Sequence, residues 1–420
     1  MKNAIYIILC SITILFGSCA NGEPDIFPAS PAERLNNALK VDKDSLINAD
    51  NGWAMEYFAT TQSAGYTMLM KFNKSGQVVV AGKNDLTRNT LVSDSSLYEM
   101  IGDNGPVLTF NSYNNILHAF SNPVNPDGYG LEGDYEFVVM KTVANQIVLK
   151  GKKRGTTILL NKITQNISWK KYFDDIEAMN TLLFNGSTNS LSLVIENDTT
   201  MAYNGSTHIF RITKQGEDPN VAGENYPIIV TPKGLRLHTA YTINGKSVQT
   251  FELTADKQRL VCTDAGVNAY LTGPNPAKLF VSNSTIIWKF DFTKPMGTEF
   301  EVLYNKIVAS CQTQLSESFT YLYFRNNPAR NSFTLTFKSG KYTGNFDFNR
   351  TNAGDNKVKL AYKSTADINA SYYYNNIDGF KELIQLVGNK TYIVSKDGFS
   401  LNSLKFTAES NPAISFYVTQ

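Results

Sequence analysis

From Trp53 onward the apolar residues of this chain recur at every second position, in short runs separated by turn residues. That period belongs to half-buried strands, and it points to antiparallel meanders rather than a helical bundle. Trp53, Met55 and Tyr57 alternate with Ala54, Glu56 and Phe58; Tyr66, Met68 and Met70 alternate after a turn; and Lys74-Ser75-Gly76 leads into a strand over 77–81. Breakers at Asn104-Gly105-Pro106 precede a strand over 107–110, and 117–120 reads as another. A second series covers 191–195, 208–212, 228–231, 235–238, 248–253, 259–262 and 286–292. Its turns are Thr231-Pro232-Lys233-Gly234 and the two-residue hairpin loop Asn244-Gly245. Aromatic residues make up 12% of the chain, with 25 Phe and 22 Tyr, which suits pleated surfaces.

Helical spacing interrupts this pattern at a few places. Ser30-Pro31-Ala32-Glu33 has the order of a capped start, with Leu35, Ala38, Leu39, Leu46 and Ile47 as the apolar stripe and Asp50-Asn51-Gly52 as the stop. Trp169, Tyr172, Phe173, Ile176, Met179 and Leu183 form a second stripe, ended by Asn185-Gly186. Thr298 with Glu301 predicts a capping box for a third, whose stripe is Phe300, Leu303, Tyr304, Ile307, Cys311 and Leu315. A short helix over 379–387 is expected to be capped by Asp378. After the third helix, strands at 319–324 and 333–337 and the Ser339-Gly340 turn repeat the order seen after the first helix. A duplicated helix-plus-meander unit is the reading. The fold class is therefore β-rich α+β, with sandwiches or partly closed barrels each packed by a capped helix. The domains expected are a signal peptide over 1–18, a tether over 19–29, and bodies over 30–165, 166–292 and 293–420.

One hairpin reads to its register. Glu132, Asp134 and Glu136 share a strand face and Lys150, Lys152 and Arg154 share the next. Pairing Phe137 with Leu149 and Val139 with Ile147 sets Glu136 against Lys150, Asp134 against Lys152 and Glu132 against Arg154. These carboxylates thereby acquire a structural task, which weakens a carboxylate-dependent hydrolase as a reading.

The first nineteen residues set the compartment. Lys2 is followed by an apolar run from Ala4 to Phe16 and then by Gly17-Ser18-Cys19, the plan of a secretory leader. The run is short for a bilayer span, which needs about 20 apolar residues. The leader resembles those of bacterial lipoproteins, in which the cysteine becomes the acylated first residue of the mature chain. The resemblance implies lipid, palmitate included, on Cys19 and a place in the cell envelope, with the outer membrane expected and the face left open. At about 3.3–3.6 Å per extended residue, the tether reaches about 35 Å. An oxidising compartment admits a disulfide between Cys262 and Cys311, while a free buried thiol at Cys311 fits the helix stripe equally.

Other stretches also look familiar together: Ser30-Pro31-Ala32-Glu33-Arg34-Leu35, Gly52-Trp53-Ala54-Met55-Glu56-Tyr57-Phe58, Gly105-Pro106-Val107-Leu108-Thr109-Phe110-Asn111, Gly133-Asp134-Tyr135-Glu136-Phe137, Gly151-Lys152-Lys153-Arg154-Gly155 and Thr231-Pro232-Lys233-Gly234-Leu235. In this order they resemble a family of bacterial lipoproteins catalogued as domain of unknown function 4302, over most of 30–262. The resemblance implies an envelope lipoprotein and carries no activity, ligand or catalytic residue.

Chemistry is sparse. Net charge is +2 in 420 residues, which gives no reason to expect nucleic acid. The histidines are His118, His208 and His238, without metal-ligand spacing, so no metal or cofactor is expected. His118 reads as a structural strand residue. Asn185-Gly186-Ser187-Thr188 and Asn204-Gly205-Ser206-Thr207 repeat a tetrapeptide that is turn chemistry first. The remaining cluster is Tyr372-Tyr373-Tyr374-Asn375-Asn376. Aromatic faces with amides suit sugar binding, and strand alternation would present Tyr372 and Tyr374 together with Asn375 and Asn376 nearby. The expected function is a non-catalytic envelope lipoprotein that binds a glycan or peptide. The alternative is a structural envelope component working through protein–protein contacts.

Overall fold

Eight antiparallel strands close into a barrel three times along the chain. The computed structural model describes residues 29–123, 128, 130–184, 190–204, 208–396 and 398–420. The leader, Cys19, most of the tether, the Asn185-Gly186 helix stop and the two Asn-Gly-Ser-Thr repeats (Asn204 apart) lie outside the described residues. By its internal contacts the chain divides into two units, one running to Met55 and resuming over Met68–Asn166, the other made of Glu56–Thr67 and Ile167–Gln420.

The first unit begins with helix α1, Pro31–Ile47. Its capping box is formed as expected: Glu33 N donates to Ser30 Oγ at 3.3 Å and Ser30 N to Glu33 Oε2 at 2.9 Å. Leu46 is buried, and Asp42 on the same face accepts from Thr142 Oγ1 at 2.7 Å. The first barrel takes strands β1 (Trp53–Phe58), β2 (Gly65–Phe72), β3 (Gln77–Gly82), β4 (Val92–Gly102), β5 (Pro106–Phe110), β6 (Glu136–Val143), β7 (Gln146–Gly151) and β8 (Thr157–Lys162), neighbours in sequence pairing as neighbours in space. All six residues of β1 are buried, so its period-two pattern does not mark an exposed face. The stretch 117–120 is a 3-10 turn over His118–Phe120 instead of a strand. Buried Asn114 imposes it, its Oδ1 accepting from the Ile116 and Leu117 amides at 3.1 Å each.

The β6–β7 hairpin slides by two residues, and β6 starts only at Glu136, so Glu132 and Asp134 precede the strand and Asp134 is buried instead of sharing a strand face with Glu136. Phe137 pairs with Gly151 and Val139 with Leu149, a bulge lies between Val139 and Lys141, and Val143 closes onto Gln146. The loop is two residues long, Ala144-Asn145. A slip of two preserves inside and outside because side chains repeat every second residue. It changes the partners: Glu136 meets Lys152 at 3.3 Å rather than Lys150, and Lys152 also reaches Asp103 at 2.8 Å.

In the second unit, helix α2 (Trp169–Phe184) buries Phe173, Met179 and Leu183. The second barrel comprises β9 (Ser190–Ile195), β10 (Asp198–Asn204), β11 (Ile209–Lys214), β12 (Glu224–Thr231), β13 (Gly234–Ile243), β14 (Lys246–Leu253), β15 (Arg259–Cys262) and β16 (Ala269–Thr272), with short helix α3 (Pro219–Ala222) between β11 and β12. It closes where β9 pairs with both β10 and β16. Residues 56–67 belong with this unit: Glu56 ion-pairs with Arg236 on β13, and the Phe58 ring lies 4.5 Å from that of His238.

Helix α4 (Pro276–Ser282) leads into the third barrel, built from β17 (Trp288–Phe290), β18 (Phe319–Asn327), β19 (Ser332–Ser339), β20 (Tyr342–Gly354), β21 (Lys357–Thr365), β22 (Lys390–Lys396), β23 (Ser403–Ala408) and β24 (Ser415–Thr419). The strand expected at 286–292 to end the middle body is β17, and it pairs with β18 and β24, so it belongs to the last barrel. Phe280 of α4 centres the core, its ring 5.7, 5.9, 5.3 and 4.7 Å from Trp288, Phe324, Phe333 and Phe406. Three more helices complete the barrel: α5 (Thr298–Leu315), α6 (Ile368–Asn376) and α7 (Phe380–Val387).

Two caps differ from expectation. Gly297, with no side chain, is the N-cap of α5, and the Glu299 amide is satisfied by the Ala413 carbonyl at 3.0 Å, so the Thr298–Glu301 box is not formed. Gly379, at φ 86°, caps α7 in place of Asp378, whose amide donates to Gln314 Oε1 at 3.1 Å. Cys262 and Cys311 are free thiols, the second of the two alternatives the sequence left open. Cys262 ends β15 in the second barrel and bonds Asp264 Oδ2 at 3.2 Å, while Cys311 is fully buried on α5 against the core of the third.

Candidate functional site

The tyrosine cluster lies on a helix. Asp367 caps α6 by accepting from the Ala370 amide at 2.8 Å, and Ala370, Tyr373 and Ile377 then fall on one buried face. This overturns the strand alternation that would have joined Tyr372 to Tyr374. Tyr374 stacks on Tyr362 with ring centroids 5.6 Å apart. Asn375 and Asn376 donate to the Ser371 and Tyr372 carbonyls of their own helix, at 2.9 and 3.0 Å. Of the two tyrosines only Tyr372 points outward, 50% exposed, while Asn375 and Asn376 are exposed with their Nδ2 groups turned back to their own helix.

Tyr372 finds other company at the turn between β19 and β20. Ser339 pairs with Tyr342 across the two-residue loop Gly340-Lys341, and this sets Tyr342, 48% exposed, at the barrel's rim. Helix α5 ends beside it. Ser316 adopts a left-handed conformation, the Glu317 amide returns to the Cys311 carbonyl at 3.1 Å, and Glu317 follows at the rim. Leu315, Glu317, Tyr342, Asn369, Tyr372 and Tyr373 enclose a depression of about 270 Å³.

Beneath it runs a short relay. Ser339 Oγ donates to Glu317 Oε2 at 2.6 Å and accepts from the Tyr373 hydroxyl at 2.8 Å. Burial pushes the Tyr373 phenol up, so it stays protonated and able to donate. One Glu317 oxygen is thus fixed from below. Asn369 Nδ2 is held on the Thr343 carbonyl at 2.9 Å, and its Oδ1 takes no donor among the described residues. Lys341 Nζ sits 5.4 Å from the centre of the Tyr342 ring and steadies it. Two outward phenol rings, an oriented carboxylate and an amide oxygen therefore surround a space about the size of one small ring. Sequence reasoning found Tyr372 but not its partners: Tyr342 and Glu317 come from other elements that meet it only when the barrel closes, and Asn369 shares its side only because the segment is helical.

The carboxylates of the β6–β7 region line a larger hollow, about 510 Å³, in the first unit. Asp134 is buried and accepts from the Lys153 and Arg154 amides at 3.1 and 2.7 Å, not from the Lys152 side chain. Arg154 pairs with Glu132 at 2.7 Å, as the sequence predicts. Asp103 and then Glu136 raise the Lys152 pKa. These groups hold the hairpin together.

The histidines are scattered. His118 Nδ1 accepts from the Asn114 amide at 3.0 Å and stacks 4.8 Å from Tyr135; His208 Nε2 meets Asn180 Oδ1 at 2.6 Å. Burial lowers the pKa of all three imidazoles. Among the described residues no three His, Cys, Asp or Glu side chains gather as metal ligands, and no helix is long and apolar enough to cross a membrane.

A family model described as "Domain of unknown function (DUF4302)" matches residues 23–255. No curated protein matches the chain. Among solved structures it is similar to the beta subunit from DNA polymerase of Streptococcus pyogenes, at 12% identity, covering 91% of this chain and 96% of that one with a TM-score of 0.14. A putative DNA polymerase III beta subunit from Eubacterium rectale shows 9% identity over 92% and 96% of the two chains, with a TM-score of 0.14. Transferrin Binding Protein B from Haemophilus parasuis shows 8% identity over 88% and 75%, with a TM-score of 0.13. At such scores these likenesses carry no argument.

Proposed function

The chain belongs to the DUF4302 family, whose model spans more than half of it, and we propose, on its own residues, that it is a lipid-anchored protein of the cell envelope that binds a glycan without turning it over. The observation that carries the binding is the depression between Tyr342 and Tyr372 over the Glu317 carboxylate. Phenol rings cover the apolar faces of a pyranose, a carboxylate accepts from its hydroxyls, and an amide oxygen accepts another. Glu317 brings one carboxylate to the space, whereas glycoside hydrolysis uses two across the scissile bond. Support for the anchor comes from the sequence: Lys2, the apolar run and Gly17-Ser18-Cys19. Acyl chains on Cys19, at about 0.8 kcal/mol per buried CH₂, hold a protein on a membrane without a spanning helix, and the outer membrane is the expected site.

A glycan array probed with the purified chain tests the binding. At least one class of glycan is expected to bind, with loss of about tenfold or more in Tyr372→Ala and Tyr342→Ala and no change in Tyr374→Ala. An empty array would favour the structural reading, in which this rim contacts another envelope protein. For the anchor, metabolic labelling with an alkynyl palmitate is expected to mark the wild type and spare Cys19→Ala. Label retained in that variant would refute the assignment.

A further inference from the structure

The β19–β20 hairpin carries a second hollow at its opposite end, where Phe333 pairs with Phe348. It measures about 590 Å³ and is lined by Asn326, Asn327, Asn331, Phe333, Asn349 and Arg350, among others. The Arg350 guanidinium lies 4.1 Å from the centre of the Phe333 ring. Nη1 donates to the Phe280 carbonyl, and Nη2 donates to the Asn283 carbonyl at 2.8 Å and to Asn326 Oδ1 at 2.9 Å.

Those contacts leave two things unmet. All three acceptors are neutral, and among the described residues Arg350 has no carboxylate within ion-pair distance; Arg236, the other deeply held guanidinium on a barrel wall, has Glu56. Burial alone lowers the Arg350 pKa, to about 10, without an acidic neighbour to oppose it. A guanidinium also has five N–H groups, so two remain to be donated. Around it, the side-chain amides of Asn327, Asn331 and Asn349 make no hydrogen bond to the described residues. A half-buried cation short of a counter-charge, ringed by amides with spare capacity, matches a ligand carrying one carboxylate and several hydroxyls.

We propose that this hollow binds an acidic sugar residue, a uronate within a glycan, with its carboxylate on Arg350 and its hydroxyls on Asn327, Asn331 and Asn349. One cation pairs with one negative charge, and amides both donate and accept, as hydroxyls require. The site is separate from the Tyr342–Tyr372 depression and stands whether or not that one binds sugar.

Calorimetric titration of the full chain in detergent with tetragalacturonate, and with a neutral galacto-oligosaccharide of equal length, tests it. The acidic probe is expected to bind at least tenfold more tightly, and the preference should shrink as salt rises. Arg350→Gln should lose at least tenfold of that binding. Because Arg350 also holds the end of α4, the double variant Asn327→Ala/Asn349→Ala is measured in parallel and should lose about fivefold with an unchanged circular dichroism spectrum. Tyr372→Ala should bind the acidic probe as the wild type does. The proposal falls if the two probes bind alike, if the acidic probe does not bind, if the asparagine variant binds it normally, or if Tyr372→Ala abolishes the binding.

Discussion

His238 lets the face of β13 that packs on Phe58, opposite the core residues Leu235 and Leu237, be interrogated by pH. It is 7% exposed on β13, its Nε2 is buried with no hydrogen-bond partner among the described residues, and Nδ1 has only Thr239 Oγ1 at 3.4 Å. Burial, with the Arg236 cation second, pulls its pKa down to about 4 from the ordinary 6.5. Between those values the unfolded chain binds a proton that the folded chain refuses. Stability is therefore full above pH 6.5 and is lost as pH falls through the window towards 4. At about 1.36 kcal/mol per unit the whole shift is worth about 3 kcal/mol, of which about 2 kcal/mol has been lost by pH 5. The chain has only three histidines, so ¹³C-histidine labelling gives three imidazole signals, and His238→Gln assigns this one. Its midpoint is expected below pH 5. The urea-unfolding transition that carries β13 should weaken by about 2 kcal/mol less between pH 7.5 and pH 5 in His238→Gln than in the wild type. A midpoint near 6.5, or equal weakening in both proteins, would refute the reasoning.

Asp134→Ala removes the buried acceptor of two backbone amides and should cost about 1–3 kcal/mol in thermal or urea unfolding, whereas Glu136→Ala, which breaks a half-exposed pair, should cost less than about 1 kcal/mol. Phe280→Ala empties the centre of the third barrel and should cost about 3–5 kcal/mol, read from the transition that carries the third barrel's tryptophan fluorescence. Burial pushes both the Cys262 and the Cys311 thiols up to about 11, so alkylation at pH 8 should be slow in the native protein. Both should react fully in denaturant without reductant, and a thiol count near zero there would restore the disulfide.

The β6–β7 hairpin shows how far residue patterning reaches. Inside and outside faces were legible because they follow from a period of two. The register was not, because a single bulge next to Met140 slides the partners. The tyrosine cluster failed for a related reason. Consecutive tyrosines favour strands by propensity, yet the Asp367 cap and the burial of Ala370, Tyr373 and Ile377 on one face make the segment helical. Asp367 followed three residues later by Ala370 was the available signal, and a lone aspartate before three residues of weak pattern is easily passed over.

The sequence by itself determined the class of elements, the α1 capping box, and the β12–β13 and β19–β20 turns. All of these depend on residues within a few positions of one another. Tertiary structure decided that the meanders close, since closure rests on pairs such as β17 with β24 or β9 with β16, which are remote along the chain. It also decided both candidate sites. Glu317, Tyr342, Asn369 and Tyr372 share a rim, and Arg350 faces its ring of asparagines, only after each strand has found its distant neighbour. Local turns are set by the dihedral preferences of a few residues, whereas a barrel's rim is assembled from contacts between remote segments, and no local pattern encodes it.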